Sequence, residues 1–225
     1  MARVIRLAGA QRGPIQRADP RALLEEAAAR GAELVVFPEL AFTPFSQQLE
    51  KRYFEDGNLG FPAFRVDRWH DAIVGMMICN DRRRPEAWRV LGLQSVELVL
   101  AGYNSPAYDP NGGESESAEL RTFHSQLVVQ ANAYMNATWA VAVAKAGNED
   151  GAGLIGGSCI VDPDGRIVVE TKGLGDEIII ADCDLDRCLQ GKSKMFDFAA
   201  HRRPAWYGPI TGQIGAVAPA SRSVK

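Results

Sequence analysis

Three sets of residues in this chain have the types and spacing to do chemistry. Cys79 follows an apolar run at 71–78 (DAIVGMMI) and precedes NDRRRPE, where Pro85 suits the first turn of a helix. A thiol at a strand-to-helix turn is exposed, and the backbone N–H groups beyond it lower its pKa and hold an oxyanion. Arg82 and Arg83 add positive potential. By residue type alone an inert core cysteine is the commoner reading. That reading fits Cys159, Cys183 and Cys188, which sit in apolar strand contexts without such neighbours. Glu39 follows ELVVF and Pro38, so it emerges at the carboxyl edge of a strand, where open α/β sheets place their sites. A partly buried carboxylate there serves as general base; the plain alternative is a surface glutamate opening a loop. The arginines at 82–84, with Asn104 after another strand, suit two-pronged binding of a substrate carboxylate, or a solvated basic turn.

Other chemistries find little support. GAGLIGG at 151–157 precedes a strand rather than a helix, which makes a poor dinucleotide loop. His70, His124 and His201 are scattered, and the four cysteines form neither a CxxC pair nor a zinc spacing. A net charge of −3 argues against a general phosphate-backbone binder. The longest uncharged stretch, 122–144, carries His124, Gln126, Gln130, Asn132 and Asn136 and makes a poor membrane span. The opening MARVIRLAGAQRGP lacks a continuous apolar run, so no secretory signal is expected and a cytoplasmic protein with reduced thiols is the plain reading.

The elements that must position these residues alternate as in an α/β domain. Strands are predicted at 4–8, 33–37, 71–78 and 96–101, and helices at 19–30, 85–93 and 118–134. Asp19 or Pro20 opens the first helix and Gly31 ends it. In the third helix Leu120, Phe123, Leu127, Val128 and Ala131 recur at helical spacing. The last third turns to strands at 139–144, 157–161, 166–171 and 177–182, with DPDG at 162–165 as a hairpin turn, then a short helix at 184–190 and an extended tail beyond 202. With 225 residues, 46% hydrophobic and 24% charged, and no repeat or linker, the chain reads as one domain, 1–225, able to fold without disulfides or metals.

Taken together, VVFPELAFT, MMICNDRRRPEAWRVLGL and GYNSP resemble the carbon–nitrogen hydrolase (nitrilase) superfamily, and within it the N-carbamoyl-D-amino acid amidohydrolases. LEKRYFEDGNLGFP, GGSCIVDPDGRIV, DCDLDRCLQGK and HRRPAWYG agree with that family along nearly the whole chain. The resemblance implies an αββα sandwich and a Glu–Lys–Cys triad, with Glu39 as base and Cys79 as nucleophile. It also implies substrate binding by Asn80, Arg82, Arg83 and Asn104. The implied reaction forms a carbamoyl thioester on Cys79, then releases a D-amino acid, carbon dioxide and ammonia, with no metal or organic cofactor. The implied partner is a small-molecule N-carbamoyl amino acid, neither nucleic acid nor membrane, and the implied assembly is a dimer or tetramer.

One departure stands out. The family's triad lysine lies in a segment resembling YRKxHLPG between the glutamate and cysteine motifs. Here Glu39 and Cys79 are only 40 positions apart, AFTPF runs directly into SQQLEKRYF at 45–46, and the lysine between them is Lys51 of the LEKRYF piece. Arg84 stands where the family has an aromatic residue. The resemblance therefore implies a sandwich lacking the strands between the two motifs. Three readings stay open: an active variant with a substitute cation, a non-catalytic homologue that binds or forms oligomers, or an incomplete gene product.

Overall fold

The computed structural model describes residues 2–14, 19–43, 57–108 and 116–220. The segment expected to be irregular, 43–60, falls mostly outside them, as do Lys51 and the 45–46 junction.

Alternation of large and small side chains builds the sandwich. In β6 (Trp139–Ala144), Trp139, Val141 and Val143 point one way and Ala140, Ala142 and Ala144 the other, all buried. β5 (Leu98–Tyr103) does the same, with Leu98 and Leu100 against Val99, Ala101 and Tyr103. The large residues of β6 and both leucines of β5 meet Ile5 and Leu7 of β1 (Val4–Gln11), Val36 of β2 (Leu34–Val36) and Ile179 of β11 (Glu177–Asp184) in a core between two sheets. The alanine face admits close approach of α2 (Pro85–Leu93) and α3 (Ala118–Asn136). On the far side α1 (Pro20–Ala29) buries Leu23 and Ala27 against Ala8, Ala10 and Ile178. The layers run α, β, β, α.

Among the described residues the smaller sheet has the order β11-β1-β2, with β1 antiparallel to β11 and parallel to β2. The larger has the order β10-β9-β6-β5-β4-β3, built from β3 (Ala63–Val66), β4 (Ala72–Ile78), β9 (Cys159–Val161) and β10 (Ile167–Glu170) with β5 and β6. β4, β5 and β6 are parallel, so their carboxyl ends lie at one edge. A separate hairpin joins β7 (Ala146–Glu149) and β8 (Ala152–Ile155). α4 (Arg187–Ser193), α5 (Phe198–His201) and α6 (Gly208–Gly212) close the chain.

The turn chemistry acts as its residues dictate. The Asp19 side chain accepts from the Arg21 N–H ahead of Pro20, and Gly31 beyond α1 adopts φ +75°. Three expectations are corrected. β3 and the β7–β8 hairpin are additional strands, short and glycine-containing or polar, without the alternation that would mark them. The tail is not simply extended: it carries a 3₁₀ turn at Pro204–Trp206 and then α6. In α3, Leu120, Phe123 and Leu127 face outward, while Ser125, Val129, Asn132, Ala133 and Asn136 are buried. The inner face needs small side chains at the alanine layer and a hydroxyl at Ser125, for a reason given below. No helix among the described residues is long and apolar enough to cross a membrane.

Candidate active site

Cys79 follows β4 and opens a 3₁₀ turn, Cys79–Arg83, that leads into α2. Its φ is +48°, a left-handed conformation that costs a non-glycine residue roughly 1–2 kcal/mol and turns the side chain sharply out of the strand. The Asp81 carboxylate ties the turn back by accepting from the Ile78 N–H at 3.1 Å. Glu39 lies beyond β2, and Leu40 after it is also left-handed at φ +52°.

Two features of β5 bring these strand ends together. Gly102 leaves room for the chain after β2: a Cβ there would lie 2.9 Å from the Phe37 carbonyl oxygen and 3.0 Å from the Glu39 nitrogen. Both are backbone atoms and cannot swing aside. Gly102→Ala is therefore expected to cost about 1–3 kcal/mol, read from the urea midpoint, and to push Glu39 away from Cys79. Asn104, just past the strand, donates from Nδ2 to the Glu39 carbonyl at 2.8 Å, and its own carbonyl accepts from the Cys79 thiol at 3.9 Å.

The Glu39 carboxylate lies close enough to the Cys79 thiol to act on its titration, and both line one cavity. Burial first, then the negative charge of Glu39, push that thiol up to about 11, against a smaller opposing pull from Arg82. This corrects the expectation of a lowered thiol pKa: desolvation and a neighbouring carboxylate outweigh the cation. The resting sulfur is a neutral thiol with a carboxylate nearby. Burial also raises the thiols of Cys159 and Cys188, to about 12, and that of Cys183, in keeping with their reading as core residues.

Arg82 does not face substrate space. Its side chain is buried, with Nη1 donating to the Cys79 carbonyl at 2.7 Å and Nη2 to the hydroxyls of Ser105 and Ser125, each at 2.8 Å. The guanidinium lies 3.6 Å from the centroid of the Tyr103 ring. Ser125 therefore belongs on the inner face of α3. The expected carboxylate clamp is in this residue's case a cage beneath the nucleophile. Arg82→Met is expected to destabilise the fold by on the order of 1–3 kcal/mol for each group left without its donor, seen as a lower thermal midpoint.

Glu39, Cys79 and Asn80 line one cavity of about 1150 Å³, together with Asp81, Arg68 and an apolar wall that includes Phe61, Phe64, Trp69, Met76 and Ile78. Met76 and Ile78 are more than half exposed and continue the inward face of Ala72 and Val74. Among the described residues the smaller sheet has three strands against the six of the larger. Arg83 is exposed and does not line this cavity, and Asn104 is buried behind it. Sequence reasoning missed Gly102, Ser105, Ser125 and the buried Lys145–Glu149 pair (2.7 Å). A lysine and a glutamate four apart in AVAVAKAGNE, next to an all-apolar strand, was the available signal.

A thiol and a carboxylate thus share one cavity at strand ends of an αββα sandwich, a pairing of nucleophile and base suited to acyl transfer. The chain belongs to the carbon-nitrogen hydrolase family, whose model matches residues 44–192. It is 28% identical over 187 residues to an N-carbamoylputrescine amidase of Arabidopsis thaliana, covering 80% of this chain and 60% of that protein. It is 30% identical over 165 residues to a citrullinase of Francisella tularensis, covering 72% of this chain and 54% of that protein. The chain thus spans about half the length of the curated relatives it matches. A carbon-nitrogen hydrolase from Helicobacter pylori G27 has the same fold, with a TM-score of 0.76 at 18% identity over 93% of this chain and 99% of that one.

Proposed function

We propose that the chain hydrolyses the amide bond of N-carbamoyl compounds through a carbamoyl thioester on Cys79. The observation that carries this is that Glu39 and Cys79 line one open cavity, with the carboxylate near enough to raise the thiol. Glu39 takes the thiol proton as sulfur attacks the carbamoyl carbon, then gives it to the departing amine as the C–N bond breaks. Water, losing a proton to Glu39, attacks the thioester and frees the thiol and carbamic acid, which falls to carbon dioxide and ammonia. Backbone N–H groups at Asn80 and Asp81 are the donors nearest the developing oxyanion. Arg82 holds the Cys79 carbonyl and so keeps the turn in place.

The two curated relatives are named for N-carbamoylputrescine and citrulline, both of which carry a terminal carbamoyl group. The finer reading, N-carbamoyl-D-amino acids, rests on the motifs around Cys79 and Asn104. With Arg82 committed to the core, Arg83, exposed on the same turn though outside the cavity lining, is the member of the pair left to meet a substrate carboxylate at the mouth of the site. The test is hydrolysis of an N-carbamoyl-D-amino acid beside N-carbamoylputrescine, by wild type and Cys79→Ala. Release of ammonia that does not depend on Cys79 overturns the mechanism. Arg83→Ala is expected to raise KM about tenfold or more for the acid alone, with Arg84→Ala nearly silent. Equal effects of the two remove Arg83 from substrate binding.

A second reading is favoured by the exposed inward faces of β3 and β4, Phe64 and Met76 among them. In it the protein is a non-catalytic homologue that binds or forms oligomers. Absence of any covalent species on Cys79 after exposure to carbamoyl and simple amide substrates supports this reading over the first.

A further inference from the structure

The Lys145–Glu149 ion pair lies behind the site and has no part in the chemistry above. Both side chains are fully buried. The Lys145 ammonium donates to Glu149 Oε2 at 2.7 Å and to the Thr43 carbonyl at 2.8 Å. The Lys145 backbone N–H donates to Asn104 Oδ1 at 3.3 Å, and the same carboxamide donates onward to the Glu39 carbonyl. Lys145 is itself rigidly held. It forms a parallel bridge with Arg12, and its carbonyl accepts from the Gly156 N–H at 3.1 Å.

The chain leaving β2 through Glu39 and the left-handed Leu40 is thus pinned at two points. Gly102 and Asn104 fix the near end, and the Lys145 ammonium fixes Thr43 at the far end. A buried ion pair is weak support for stability, since apolar side chains of the same size often serve as well or better. Here one member reaches a backbone carbonyl four residues from the carboxylate that raises the thiol. We infer that Lys145 and Glu149 are positioning residues, whose ion pair holds the loop at Thr43 and so sets the Glu39 carboxylate against Cys79. The inference rests on the reading of Glu39 and Cys79 as base and nucleophile.

The test compares wild type, Glu39→Gln and the double variant Lys145→Met/Glu149→Leu, which removes both charges at similar volume. Iodoacetamide labelling of Cys79, located by mass spectrometry across pH, reads whether the carboxylate still faces the thiol. Thermal unfolding reads the fold, and release of ammonia from N-carbamoylputrescine reads turnover. In a double variant that unfolds cooperatively, the labelling midpoint is expected to move down by about 1 on the pH scale, toward that of Glu39→Gln. Turnover is expected to fall about 10²-fold, as it does when a reacting group is misplaced by about 1 Å. A wild-type midpoint and wild-type turnover in that folded variant overturn the inference. If the double variant does not fold, Lys145→Met with Glu149→Gln, which also removes the ammonium but keeps a polar side chain at 149, takes its place. An unmoved midpoint there counts equally against the inference. If Glu39→Gln itself leaves the midpoint unmoved, the base–nucleophile reading fails first and the positioning role falls with it. A moved midpoint in Glu39→Gln alone rejects only the positioning role.

Discussion

Glu39→Gln is expected to bring the Cys79 thiol down from about 11 while hydrolysis falls by about 10²–10⁴-fold. The two effects have one cause. A carboxylate near a thiol disfavours a second negative charge, so removing it lets the thiolate form at lower pH. Burial, the larger cause, stays in place, and the midpoint does not return fully to the ordinary thiol range. Hydrolysis nonetheless suffers, because the neutral amide cannot take the thiol proton or return it to the leaving amine. A variant with a more acidic thiol and lower turnover distinguishes a general base from a group that merely tunes the nucleophile. Retained turnover would falsify the assignment of Glu39 as base.

The second large effect concerns the developing oxyanion. If the chain as written lacks the family's lysine, its turnover is expected to lie about 10²–10³-fold below that of a full-length relative assayed on the same substrate. Cys79 is still expected to be alkylated by iodoacetamide, since Glu39 accepts its proton and the thiol borders an open cavity. The expected pattern is a labelled thiol with slow turnover. Robust turnover abolished by Lys51→Ala reverses the prediction and makes Lys51 a relocated cation. Robust turnover indifferent to Lys51 means that another group holds the oxyanion. Sequencing the coding DNA around codons 45–46 adds an independent check: an intact YRK-like segment in another frame or exon indicates a gap in the assembled chain.

Much of the scaffold was legible in local pattern. The alternation in WAVAVA determines which face of β6 meets the second sheet, because side chains in a strand point to opposite sides. Pro85 at the first turn sets the start of α2 at the residue where the structure has it, since proline lacks the N–H that an interior position would need. Glu39 and Cys79 could be picked out because each follows a buried apolar run that must end at a sheet edge. Local pattern misled in α3, where an outward apolar row outweighed the inner face that packs on alanines.

Tertiary structure decided the rest. Whether Arg82 meets substrate or core depends on Ser105 and Ser125, 23 and 43 residues away, whose hydroxyls compete with solvent for its guanidinium. The thiol's upward shift depends on how deeply Cys79 is buried and on a nearby carboxylate from another sheet, neither of which is written in ICNDRR. The role of Lys145 needed Asn104, brought beside it by the parallel pairing of β5 and β6, and Thr43, 102 residues away in the chain. The sequence by itself determined which residues can react and which strand ends carry them, because residue type and side-chain alternation are local properties. Only the fold decided their distances, their burial and hence their charge, because those depend on atoms far away in the chain.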